Sequence, residues 1–264
     1  RSHQTDGRKR MSETRFQQTA IRSRKRPAII VNSKAQNQIS MKILALDTAT
    51  RSCSVAIVDG ESLLAELTRG HSQTHSRHLL DLINTVCGIA GLRVEDLDGF
   101  AVTIGPGSFT GLRIGISTIK GLAYSLSKPV VGVSSLDALA WQCAQNAYLI
   151  CPLLDARKKE VYTCRYRFKN NELKKNDSER VASFAEAVDG IKEPSVFVGN
   201  AVALYQENIS AELGELAHFA TWGQHTIRAS SIAWLSMTGF YRQQTDDVAL
   251  LIPQYIRKPD AEVN

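Results

Sequence analysis

The feature that most constrains the fold is an apolar run that passes straight into a glycine loop and then into a helix. Residues 99–104 (GFAVTI) are apolar, residues 105–111 read Gly-Pro-Gly-Ser-Phe-Thr-Gly, and Leu112, Ile116, Ile119, Leu122 and Ala123 then recur at helical spacing up to Leu126. A short apolar run bounded by glycine and proline fits a strand buried on both faces, the kind found in α/β sheets covered by helices. Lys128-Pro129 breaks the helix. Residues 129–133 are a further strand, and Ser134 or Ser135 caps a helix holding Leu136, Leu139, Ala140 and Cys143.

Upstream, residues 41–47 (MKILALD) and 53–58 form a predicted hairpin, and residues 63–68 add a third strand. Over residues 72–90 the period changes: Leu79, Leu80, Ile83, Val86, Cys87 and Ala90 form the stripe of an amphipathic helix. The order is βββαβαβα. The second half starts over in a similar way: residues 148–155 end in Leu-Asp as residues 46–47 do, residues 157–168 alternate as a strand, and residues 195–198 lead into Gly199. Residues 169–193 are polar and carry no clear period, residues 230–243 are a last helix, and residues 253–257 (PQYIR) close the chain. The ordered echo predicts an α/β protein of two related lobes, residues 41–146 and 147–264.

A net charge of +6 suggests a polyanion partner until it is divided along the chain. Residues 1–40 hold ten basic and two acidic side chains, leaving 22 basic against 24 acidic from Met41 on. Attraction to phosphate would come from the leader or from a local patch that the total conceals. The leader reads as disordered. It could be a nucleic-acid arm, an Arg-rich targeting peptide, or sequence upstream of the true start; the third is the reading adopted, since Met41 opens a strong strand. Cys53, Cys87, Cys143, Cys151 and Cys164 are odd in number, with no CxxC pair, which fits reduced core thiols in a cytoplasmic protein. No apolar run is long enough for a membrane span.

Three constellations could carry chemistry. The loop of Gly105, Gly107, Ser108, Thr110 and Gly111 opens a helix, so its amides and the helix dipole could cradle an anion. It is neither a Walker A loop nor GxGxxG, and a tight turn with glycines for close helix packing explains it equally. Asp47, with Thr48 and Thr50, could face a metal-bound nucleotide phosphate, or simply close an Asx turn; Asp155 with Arg157 carries the same ambiguity. His71, His75 and His78 are spaced for a shared helix face, but no HExxH motif is present and solvated or interface histidines are the preferred reading.

Residues 41–50 (MKILALDTAT), 105–115 (GPGSFTGLRIG), 132–136 (GVSSL), 154–161 (LDARKKEV) and 253–257 (PQYIR) together resemble the TsaB (YeaZ) family, in the right order and over residues 41–257. The resemblance implies the two-lobed fold of the actin/Hsp70/sugar-kinase class. It implies a role in bacterial synthesis of N6-threonylcarbamoyladenosine, at the adenosine 3′ of the anticodon in ANN-decoding tRNAs. There TsaD performs the transfer from threonylcarbamoyl-adenylate, made by TsaC or a relative, and TsaB is a non-catalytic partner working with TsaD and TsaE.

The paralogue TsaD carries a GVxHxxxH metal site where this chain has Gly132-Val133 followed by Ser135 and Leu139 at the ligand positions. The resemblance therefore implies no metal site and no catalytic residues. It implies no cofactor of the chain's own, with ATP or ADP at the complex interface and tRNA reached through the complex. The partner surface is expected on the first lobe's helices, with His75, Leu79, Leu82, Ile83 and Val86 as candidates, and a homodimer is expected when the chain is alone. The alternatives are an ATPase of the same superfamily, using Asp47 and the glycine loop, and a metal-dependent peptidase using the histidines.

Overall fold

The computed structural model describes residues 40–70, 75–170 and 172–257, without the side chains of residues 75–77. The leader up to residue 39, His71 and the side chain of His75 thus lie outside the described residues.

The first sheet begins with an antiparallel meander of β1 (Lys42–Asp47), β2 (Cys53–Asp59) and β3 (Ser62–Arg69). After helix α1 (His75–Ala90), β4 (Gly99–Gly105) joins parallel to β1; after α2 (Phe109–Leu126), β5 (Val130–Ser134) joins parallel to β4. The order is β3-β2-β1-β4-β5. Because side chains alternate along a strand, β1 serves two cores at once: Leu44 and Leu46 pack with Leu79, Ile83, Val86, Ile116 and Ile119 of α1 and α2, and Ile43 and Ala45 face the other way.

After the short α3 (Ser135–Trp141), the second half supplies β6 (Leu149–Asp155), β7 (Glu160–Thr163), β8 (Tyr166–Lys169), β9 (Glu172–Lys175), β10 (Arg180–Ser183), α4 (Phe184–Val188), β11 (Ser195–Val198), α5 (Val202–Leu213), β12 (Ala217–Phe219) and α6 (Ala229–Tyr241). The order is β10-β7-β6-β11-β12, with β8 pairing both β6 and β9. The strand expected over residues 157–168 is broken between β7 and β8. Arg165 turns out of the ladder, its amide donating to Asp177 Oδ1 (2.7 Å) and its guanidinium to the carbonyls of Ala187 (3.2 Å) and Asp189 (2.5 Å).

Helices α3 and α6 lie between the sheets. Leu136, Leu139, Ile232, Ala233 and Leu235 share one core with Ile43 and Ala45 of the first sheet and with Ile150 and Val196 of the second. α6, although it follows the second sheet in the chain, packs on β1, β2, β4 and β5. Its N-terminus is fixed there by Ala229 N donating to Ser54 Oγ (3.0 Å), Ser230 N donating to Glu66 Oε1 (2.9 Å) and an Arg228–Glu66 ion pair. The whole is a two-lobed α/β architecture, a five-stranded and a seven-stranded sheet sharing the core around α3 and α6. All five cysteines are buried and unpaired, and among the described residues no helix is long and apolar enough to cross a membrane.

Candidate functional site

β1 delivers Asp47 to the end of the first sheet, where the chain turns through Thr48 and Ala49. The carboxyl is fully buried. Its Oδ1 accepts from Thr103 Oγ1 (2.7 Å) and from the amide of Ala49 (3.1 Å), and its Oδ2 has no hydrogen-bond partner among the described residues. Burial pushes its pKa up to about 7 against the opposing hydrogen bonds of Thr103 and Ala49.

The glycine loop closes over this turn. Ser108 caps α2, its Oγ accepting from Gly111 N (3.2 Å), while its own amide donates to Ala49 O (2.7 Å) and its carbonyl accepts from Leu112 N (2.9 Å). Thr48 Oγ1 donates to Gly111 O (2.8 Å). A Cβ at Gly111 would stand 2.0 Å from Thr48 O, and one at Gly107 would stand 2.4 Å from Ala49 O. Only glycine lets the strand-end turn and the helix start touch in this way. From the other side the closing segment seals the strand end, Gln254 N donating to Ile104 O beside Gly105 (2.7 Å).

The structure thus brings Asp47, Thr48, Gly105, Gly107, Ser108 and Gly111 together, but joins them to one another. Thr110 stays exposed on the first turn of α2. Asp155 is not a second Asp47: it is exposed, with Oδ1 accepting from Arg157 N (2.7 Å) in the Asx turn that the sequence also allowed. Ser135 and Leu139, at the paralogue's ligand positions, are both fully buried.

Sequence reasoning missed a surface cluster beside the loop. The rings of Phe109 and Tyr255 stack at 4.8 Å, and Arg113 lies 3.7 Å over the Phe109 ring while its Nε donates to Tyr255 Oη (3.0 Å). The four-residue spacing of Phe109 and Arg113 signalled their pairing; nothing local signalled Tyr255.

The expected partner residues on α1 need correction. Leu79, Ile83 and Val86 are buried in the first lobe's own core, and Leu82 is half-buried against it. An amphipathic stripe on a helix lying on a sheet faces the sheet. The opposite face presents Leu80, Asn84, Gly88 and Ile89, with His78 half-buried at its start.

Comparison with known proteins agrees with the fold and the motifs. A family model described as TsaD, tRNA N6-adenosine threonylcarbamoyltransferase, matches residues 69–264. The chain is 32% identical over 225 residues to the tRNA threonylcarbamoyladenosine biosynthesis protein TsaB of Bacillus subtilis, covering 84% of this chain and 96% of that one. It is 31% identical over 219 residues to the protein of the same name from Haemophilus influenzae, covering 73% and 92%. A solved structure of YeaZ from Pseudomonas aeruginosa superimposes with a TM-score of 0.69 at 27% identity, covering 81% of this chain and 99% of that chain.

Proposed function

The chain belongs to the TsaB (YeaZ) family of tRNA threonylcarbamoyladenosine biosynthesis proteins, and from that premise we propose that it is a non-catalytic subunit supporting a TsaD transferase, with TsaE, in that modification. The observation that carries the reading is the closure around Asp47. The amides of Ser108 and Gly111 and the open faces of Gly107 and Gly111, which a phosphate would need, are engaged by the chain itself. A nucleotide held in the assembly then belongs to the complex, and this chain carries no cofactor of its own.

With the loop closed on itself, the first lobe offers its outer helical layer. Leu80, Ile89 and Tyr124 are 56%, 60% and 83% exposed, and Gly88 and Gly121 have open space where a Cβ would stand. Apolar side chains beside two bare backbone positions suit the close approach of another helix. TsaD is the occupant in the complex, and a second copy of the chain pairs through the same face when TsaD is absent.

Reconstitution with TsaD and TsaE tests this. Omitting the chain, or supplying Leu80→Glu, is expected to reduce tRNA modification to background. Full modification without the chain refutes the reading, and so does ATP hydrolysis by the isolated chain that Asp47→Ala abolishes.

A further inference from the structure

Past α6 the chain returns to the first lobe and runs antiparallel along one flank of α2. Asp246 N donates to Val130 O (2.8 Å), just beyond the end of the helix, and Tyr255 stacks on Phe109 at its start. Between these points Lys120 Nζ donates to the carbonyls of Ala249 (2.8 Å) and Leu251 (3.2 Å). Leu251 is buried in the first lobe's core, whereas Leu250 and Ile252 on either side of it are 74% and 61% exposed. Pinned at both ends and in the middle, the segment holds these two outward as a fixed apolar edge beside α2.

α2 itself turns Arg113, Ser117, Gly121 and Tyr124 to solvent, at i, i+4, i+8 and i+11, opposite its buried stripe. Arg113 is the one charge in this row. Its guanidinium lies 3.7 Å over the Phe109 ring and its Nε donates to Tyr255 Oη (3.0 Å). Among the described residues the terminal nitrogens of the fork make no hydrogen bond and no carboxylate pairs with them. A guanidinium held flat, with its terminal edge uncommitted, is set for a carboxylate that takes both nitrogens at once.

This row and this edge adjoin the outer face of α1 and α2 already read as the partner surface. We propose that the partner's seat extends across α2 to the closing segment, where Leu250 and Ile252 form its far wall and Arg113 receives one carboxylate from an amphipathic helix of TsaD. Arg113 and Tyr124 stand about 16 Å apart along the axis, so an occupant that meets both is a helix of roughly three turns or more. The leucine and isoleucine suit its apolar stripe, and a single charge contact in an otherwise uncharged row fixes its register. RNA is the less suitable occupant, since a phosphate backbone is held by several cations and the exposed face of α1 adds an acid, Asp81. The proposal rests on the reading of the chain as a subunit that pairs with TsaD.

The test is calorimetric titration of TsaD with the full chain at low and at high KCl. Leu250→Gln/Ile252→Gln and Arg113→Gln are each expected to weaken pairing about 10-fold at low salt, and Arg113→Lys, which keeps the charge without the planar fork, by less. The wild-type affinity should fall as KCl rises, and that of Arg113→Gln should change much less over the same range. Circular dichroism melts accompany each variant, and all should stay folded because the three positions are exposed. Wild-type affinity in either Gln variant overturns the proposal. So does an Arg113→Gln loss that keeps the full salt dependence, as a purely structural role of the ring stack would give, and so does a loss of tRNA binding with TsaD binding intact. Leu80→Glu is the reference for the α1 face. If it breaks pairing and the variants along α2 do not, this surface is refuted and the functional reading stands. If those variants weaken pairing but omitting the chain leaves tRNA modification unchanged, the surface stands and the functional reading fails.

Discussion

Lys175 Nζ lies 3.0 Å from Asp137 Oδ1, tying a strand of the second lobe to the helix that sits between the two sheets. The same ammonium is 2.6 Å from Glu179 Oε1. Tyr166 Oη donates to Asp137 Oδ1 (2.8 Å) and Ser134 Oγ to Glu179 Oε1 (2.6 Å), so two carboxylates meet one cation and two hydroxyls. Burial alone would lower the lysine's pKa, but Asp137 and Glu179 outweigh it and hold the ammonium charged.

Lys175→Met should therefore leave two nearby carboxylates without a counter-charge. Lys175 is 40% exposed, so solvent screening reduces the loss to about 1–2 kcal/mol. Urea unfolding at pH 7 measures it.

Asp47 gives the stability a pH dependence of opposite sense to that of an ordinary paired carboxylate. In the folded chain the carboxyl keeps its proton up to about pH 7, whereas the unfolded chain releases it near 3.8. Between those values the folded state binds the extra proton, so this group's contribution falls as pH rises from about 4 to 7 and is level above that. Asp47→Asn should remove that slope and stabilise the protein at pH 8 by about 1–3 kcal/mol, with an unpaired amide donor offsetting part of the gain. Thermal melts across pH 4–8 compare the two proteins; parallel curves would contradict the assignment.

On α1 two neighbouring substitutions should separate fold from pairing. Ile83→Glu places a carboxylate in the first lobe's core at a cost of several kcal/mol, and should give an unfolded or aggregating chain. Leu80→Glu lies on the exposed face and should change stability by less than about 0.5 kcal/mol while abolishing co-elution with TsaD. Circular dichroism and size-exclusion chromatography read the two effects.

The glycines of α2 should divide in the same way. Gly111→Ala drives a methyl into the Thr48 carbonyl and should destabilise by about 2–3 kcal/mol. Gly121→Ala meets open space and should stabilise the isolated chain by about 0.5–1 kcal/mol through helix propensity. The same methyl on the proposed partner face should weaken pairing with TsaD.

What the sequence disclosed was local. The β1–β2 hairpin, α2 and β11 are legible because one period runs through each without interruption, and the glycine loop because its neighbours sit on either side of it in sequence. α5 was missed because only Val202 and Ile209 are buried along it, too thin a stripe to register. The inward turn of Arg165 depends on Asp177, Ala187 and Asp189, and the position of α6 on Ser54 and Glu66, all distant in the chain. At the site, the grouping of Asp47 with the glycines was legible, but that they satisfy one another was not, because Ala49 and Gln254 complete the closure through backbone atoms that leave no mark on residue type.

The seat of α6 on the first sheet has a consequence for biosynthesis. The apolar underside of β1, β2 and β4 is covered by a helix that follows all the strands of both sheets in the chain. A ribosome must release every strand of the second sheet before that face of the first is shielded from water, so the nascent first sheet stays half-open until α6 has followed it.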